Sequence, residues 1–238
     1  MKYSAIVIML ILLAQLDVAA KQTATNRVHE SLLKYAIQLN KIEEFEKALP
    51  YLDKYIALNK TDQRAFYYRG VSYRALAKYQ KSIDDLNRSI SLFPRFEPAL
   101  YERARTYENM GQAQKAIPDY TSCIEISPRD VDTISHRAAA YSSLKQYQNA
   151  IKDYTTMITR VPEDEDALRS RGDTYYKMGD YKHAVSDYTA SIEQVPEIAL
   201  TYNSRAKAFS KLGKVDLAAK DYAKAKELGY VEHVKHSP

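Results

Sequence analysis

The residues able to do chemistry in this chain are few in kind and regular in place. Arg69, Arg103, Arg137, Arg171 and Arg205 are each followed sixteen residues later by an acid: Asp85, Asp119, Asp153, Asp187 and Asp221. A guanidinium matches a carboxylate in a two-pronged hydrogen bond. Five pairs at one spacing therefore predict structural ion pairs between neighbouring helices rather than a functional arginine ladder. Cys123 is the only cysteine, which excludes an intramolecular disulfide and a cysteine zinc site. The five histidines show no metal-binding spacing, although His233 and His236 stand three apart near the end. No nucleophile–base–acid arrangement is visible, and none of the six glycines sits in a phosphate-cradling loop. The expectation is no catalytic residue, no metal, no cofactor and no enzymatic activity.

The elements that must position these residues follow from a repeat. Pro94, Pro128, Pro162 and Pro196 are 34 residues apart, as are Tyr73, Tyr107, Tyr141 and Tyr175. Tyr120, Tyr154, Tyr188 and Tyr222 keep the same step. A fixed period of this size signals an array of small units. It also explains the 21 tyrosines beside only 5 phenylalanines and no tryptophan. Counting positions 1 to 34 from His29, Gln63, Glu97, Val131, Glu165 and Ala199, small residues fall at position 8 (Ala36, Gly70, Ala104, Ala138, Gly172, Ala206). They fall again at position 20 (Ala48, Ser82, Ala116, Ala150, Ala184, Ala218). Positions 4, 7, 8 and 11 lie on one helical stripe and 20, 24, 27 and 28 on another. Each unit reads as two antiparallel helices with a tight turn near position 15, where Gly111, Gly179 and Gly213 stand. Cys123, at position 27, falls in a packed slot and reads as a buried thiol. Pro50 and Pro118, at position 22, are expected in a tightened first turn of the second helix.

These residues resemble the tetratricopeptide repeat, whose signature has small residues at 8 and 20, aromatics at 11, 17 and 24, and proline at 32. The resemblance implies an all-α fold: a right-handed superhelical solenoid of about six 34-residue helix–turn–helix repeats. The expected division is a signal peptide at 1–20, a linker at 21–28, repeats at 29–62, 63–96, 97–130, 131–164, 165–198 and 199–232, and a tail at 233–238. Stacked units bury what a lone helix pair cannot. Without a further capping helix, Lys214, Lys220, Lys224 and Lys226 are expected to solvate the last helix, or that end serves as a contact surface. Self-association through the terminal repeats stays open.

In the resembled family, positions 2, 5, 9, 12 and 13 line a concave groove that receives peptides. On these positions the candidate groove residues are Arg64, Tyr67, Arg74, Tyr101, Arg105, Ser135, Arg169 and Tyr176, with Tyr68 flanking. Tyrosine and arginine dominate many interfaces. Repeat four (Asp132, Ser135, Ala139, Ser142, Ser143) offers a floor of small residues. The groove suits an extended or helical segment bearing an acidic or aromatic group. The carboxylate clamp of chaperone-tail binders is missing: repeats one and two carry Leu33, Ile37, Tyr67 and Val71 at its first positions.

Met1 and Lys2, the apolar run Ala5 to Leu16, and Val18-Ala19-Ala20 have the three-part layout of a secretory signal. The run is shorter than the roughly 20 residues of a membrane span, so cleavage after Ala20 leaves no stable span. The expected partner is a protein or peptide and the expected location the periplasm, in cell-envelope assembly or a periplasmic complex. Secretion, or membrane anchoring through an uncleaved signal, is the alternative location. A luminal co-chaperone of a eukaryotic secretory pathway is the competing role, with sequons at Asn59 and Asn87 as its mark. The net charge of +5 and pI near 9.0 would suit nucleic acid. Basic residues come singly, however, and repeat five is acidic, so no nucleic-acid partner is expected and an RNA-reading helical repeat is a lesser alternative, with an enzyme ranked last.

Overall fold

The structure, a computed structural model, describes residues 27–231 together with Gln15. The targeting segment apart from Gln15, the linker up to residue 26 and the tail 233–238 lie outside the described residues. Helix α1 covers 27–41, so Arg27 and Val28, expected in the linker, are helical. Eleven helices follow: α2 (Phe45–Leu58), α3 (Gln63–Ala75), α4 (Tyr79–Leu92), α5 (Glu97–Asn109), α6 (Ala113–Ile126), α7 (Val131–Ser143), α8 (Tyr147–Arg160), α9 (Glu165–Met178), α10 (Tyr181–Gln194), α11 (Ala199–Lys211) and α12 (Val215–Glu227). No strand occurs among the described residues. From α3 onward, the first helix of every pair begins at position 1 of the 34-residue count. The chain has the all-α, paired-helix repeat fold that its periodicity predicts.

The chain forms two compact units, Met1–Met110 and Gly111–Pro238. In the first unit α2 packs on α3, α3 on α4 and α4 on α5, with a further contact from α3 to α5. Its core joins Leu33, Ala36 and Leu39 of α1 to Ala48, Leu52 and Tyr55 of α2 and Ala65 of α3. In the second unit each helix from α6 to α12 packs on its neighbour, and α9 also meets α11. Ile134, Tyr154 and Met157 centre one core cluster there, and Ala184, Tyr188 and Ala208 another. Burying such a side chain stabilises by about 1.5–3 kcal/mol.

Close approach explains the small residues. Ala36, Ala48, Ala104, Ala116, Ala138, Ala150, Ala184 and Ala206 are fully buried. At Gly70 even a methyl would come within 2.8 Å of Leu86 Cγ, and at Gly172 within 2.8 Å of Tyr188 Cε1. Position 15 takes a left-handed backbone in all six repeats, with φ of 60° at Glu43, 55° at Ala77, 69° at Gly111, 59° at Lys145, 91° at Gly179 and 72° at Gly213. Three of these are not glycine and carry a penalty on the order of 1 kcal/mol.

Two expectations need correction. Pro50 and Pro118 lie inside α2 and α6, each the sixth residue of its helix, not in the first turn. Each removes an interior backbone donor. The open side of α12 is not wholly solvated by lysine: Leu217 and Val215 are exposed, and Tyr222 is 40% exposed although Tyr120, Tyr154 and Tyr188 at the same register are buried.

Candidate functional site

Arginine at position 7 recurs in repeats two to six and ties neighbouring helices together. Arg69 donates from Nε and Nη2 to the two carboxylate oxygens of Asp85, both at 2.7 Å. Arg137 holds Asp153 at 2.8 and 2.8 Å, Arg171 holds Asp187 at 2.8 and 2.7 Å, and Arg205 holds Asp221 at 2.7 and 2.9 Å. The remaining Nη1 reaches back one repeat: Arg69 to Asp53 at 2.7 Å, Arg137 to Thr121 at 3.2 Å, Arg171 to Thr155 at 3.1 Å and Arg205 to Thr189 at 3.1 Å. Arg103, in the first unit, makes the same reach to Asn87 at 2.7 Å. Asp119 is buried in the second unit. One side chain thus ties three helices. Burial pushes the Asp85 carboxyl up, against the hydrogen bonds and charge of Arg69. In repeat one these two positions hold Tyr35 and Tyr51, which meet edge to face at 4.8 Å. Position 25, always an acceptor before a position-7 arginine, was a legible signal that the sequence reading missed.

The groove candidates of the first unit are Arg64, Tyr67, Tyr68, Arg74, Tyr101 and Arg105. Arg64 turns back to Asp62, with Nη2 2.7 Å from Oδ2, and lies 3.7 Å from Glu30. Asp62 also caps α3 through the Arg64 backbone N–H and accepts from the Tyr55 hydroxyl at 2.8 Å. Its burial is outweighed by the hydrogen bonds from Arg64 and Tyr55, which hold the carboxyl below the usual range. Burial, with help from the Asp62 contact, pushes the Tyr55 hydroxyl up to about 12. Arg74 Nε donates to Glu102 at 2.6 Å, so its charge is compensated on the spot. Arg105 lies over the Tyr101 ring at 5.7 Å and donates to its hydroxyl at 3.3 Å.

Tyr67 is mostly enclosed, and burial, then the charge of Glu102, holds its hydroxyl in the protonated form. Its ring meets Tyr68 edge to face at 4.8 Å and Phe96 at 5.4 Å. Phe96 in turn lies 6.1 Å from Phe93. Phe93, Phe96 and Glu102 were not among the expected site residues. Comparing the inter-repeat loops at one register would have found the two phenylalanines.

Ser135, Arg169 and Tyr176 belong to the second unit. Ser135 is half-buried on α7. Arg169 pairs with Asp166 and lies 3.8 Å from Glu165. Tyr176 meets Tyr181 edge to face at 5.3 Å. Ser142, expected on the floor of repeat four, is buried and accepts a long hydrogen bond from Thr174 at 3.4 Å. It serves packing. Near this wall Tyr188 donates to Asp173 at 2.6 Å, and burial together with that carboxylate raises the Tyr188 hydroxyl strongly.

Among the described residues no group of three or more histidine, cysteine, aspartate or glutamate side chains could hold a metal ion, and Cys123 is buried. No described helix is long and apolar enough to cross a membrane. The Asn87 sequon lies inside α4, with Ser89 buried and donating to the Gln63 carbonyl at 2.9 Å.

Three family models, each described as tetratricopeptide repeat, match residues 64–95, 97–130 and 169–229, together more than half of the chain. A search among curated proteins gives no match. Solved structures give many. The C-terminal part of a repeat protein from Cytophaga hutchinsonii is similar with a TM-score of 0.74 and 22% identity, covering 82% of this chain and 78% of that one. MamA residues 41 to the end from Desulfovibrio magneticus RS-1 gives 0.66 and 20%, covering 70% and 94%. YrrB, described as having an unusual peptide-binding site, gives 0.66 and 19%, covering 71% and 88%. At these identities the likeness shows the fold.

Proposed function

Because the chain belongs to the tetratricopeptide repeat family, we propose that it is a protein-binding scaffold whose groove wall on α3 and α5 receives a segment of a partner. The observation that carries this reading is the Tyr67–Tyr101 register. Both tyrosines stand at position 5 of adjacent repeats, and neither is demanded by the ladder of arginines and aspartates. Arg105 braces Tyr101, and the Arg74–Glu102 pair lies beside Tyr67. The wall therefore offers aromatic faces and hydroxyl donors with side chains already held in place, which lowers the entropy lost on binding. Arg64 and Arg74 of this wall are ion-paired, to Asp62 and Glu102, so attraction for a partner comes from rings and hydrogen bonds more than from the charge of these two. Ser135, Arg169 and Tyr176 supply a similar wall on α7 and α9. A peptide-binding relative of the same fold, YrrB, makes this use of the fold reasonable.

The targeting segment at 1–20 supports an exported, periplasmic location, with a role in assembling cell-envelope proteins. N-terminal sequencing of the protein from a periplasmic extract tests this: a mature start at Lys21 supports export, and an intact Met1 in the cytosolic fraction rejects it. For the groove, affinity capture is compared between the wild type and Tyr67→Ala/Tyr101→Ala/Arg105→Ala. The triple variant is expected to lose the captured partner while keeping its helical circular dichroism. An unchanged set of captured proteins would reject the wall.

A further inference from the structure

The five loops that join one repeat to the next share a register and differ in chemistry. Residues 59–62 read Asn-Lys-Thr-Asp, 127–130 Ser-Pro-Arg-Asp, 161–164 Val-Pro-Glu-Asp and 195–198 Val-Pro-Glu-Ile. The loop between repeats two and three reads Phe93-Pro94-Arg95-Phe96. It is the one loop without a carboxylate and the one with aromatic residues. At position 34, Asp62, Asp130 and Asp164 cap the following helix with their side chains. Phe96 makes no side-chain cap for α5, which forgoes about 1 kcal/mol. Its ring instead extends Tyr67 outward to Phe93, which stays 49% exposed. Tyr68, Tyr67, Phe96 and Phe93 thus form a continuous aromatic ridge from the groove wall to the loop. The loop itself carries the exposed Arg95, and the same unit exposes Arg88, one turn before the end of α4, and Lys60, whose carbonyl Arg88 contacts at 3.3 Å. Of the acids here, Asp62 is spent on Arg64 and Tyr55, Glu102 beside Tyr67 is spent on Arg74, and Glu97 is half-buried.

We propose that this ridge is the anchor point of the groove, taking a large apolar side chain from an acidic segment of a partner protein. The proposal rests on the groove reading above and adds the chemistry of the ligand. An aromatic anchor in a desolvated site supplies most of the affinity, while the exposed cations choose an acidic flank and speed encounter. Exposed aromatic area next to a surrendered helix cap is what a binding surface requires and what repeat packing does not.

The test is selection of random 12-residue peptides displayed on phage against the full mature chain, followed by anisotropy titration of the selected synthetic peptides. Expected are peptides with net negative charge around a Phe, Trp, Tyr or Leu. Their affinity should fall at least tenfold on Phe93→Ala/Phe96→Ala, and should weaken with added salt. Phe93→Ser alone, which leaves the ring against Tyr67 untouched, should give an intermediate loss and guards against a folding artefact. Selected peptides that are basic, or that bind the double variant undiminished, overturn the anchor. If they nonetheless depend on Tyr101 and Arg105, the groove stands without it. If no peptide is selected, the groove reading falls and the anchor with it. Sedimentation with phosphatidylglycerol vesicles that depends on Phe93, in the absence of any peptide binding, would likewise overturn the proposal in favour of a lipid surface.

Discussion

The loops 93–96 and 161–164 occupy the same place in two repeats and are put to opposite uses. In the second, Asp164 accepts a hydrogen bond from the Ala167 backbone N–H at 2.9 Å, and Val161 and Glu163 leave nothing aromatic on the surface. In the first, Phe96 gives up the cap and Phe93 is left exposed. The repeat scaffold tolerates the exchange because its stability resides elsewhere, in the arginine at position 7 and the buried tyrosines at position 24. The contrast teaches where to look in a repeat protein: not at the residues every unit keeps, but at the unit that drops a stabilising residue its neighbours retain.

The largest expected effect tests the scaffold side of that contrast. Asp187→Ala strands the half-buried Arg171 guanidinium, which loses both carboxylate contacts. It should cost about 3 kcal/mol in urea unfolding, with peptide binding at the first unit's wall unchanged once the protein is folded. Next, Gly172→Ala forces a methyl to within 2.8 Å of Tyr188 Cε1, a ring also fixed by Asp173. Overpacking of this kind costs about 1–3 kcal/mol, and a lowered melting temperature is the readout. Asp164→Ala should then cost about 1 kcal/mol through the lost cap of α9, again without touching binding. If it proves silent, the cap lost at Phe96 means little and the contrast weakens. Smallest is Ala77→Gly, which relieves a left-handed residue at φ 55°. It should raise stability by up to about 1 kcal/mol, whereas the same turn at Gly179 has nothing to gain.

Much of this was legible in the residues. The 34-residue step placed the start of the first helix of each pair from Gln63 onward, because periodic burial leaves the chain one way to fold its apolar stripes together. Arg137 and Asp153 could be matched by spacing alone. Other features were not legible, for reasons of geometry. Spacing does not reveal that Arg64 and Arg74 are neutralised by Asp62 and Glu102, since those acids approach from the preceding loop and the next repeat. Ser142 reads as groove floor by angle, yet sits buried against Thr174, because position 12 lies at the border between two stripes. Phe93 and Phe96 escape helical periodicity because the ridge is made where α4 ends and α5 begins.

The most direct measurement is to make Phe96→Asp and follow urea stability and peptide affinity on the same sample. Restoring the cap that Asp62, Asp130 and Asp164 provide should make the protein about 1 kcal/mol more stable, while affinity for selected acidic peptides falls at least tenfold. A variant that binds as tightly as the wild type would contradict the account, however stable it became.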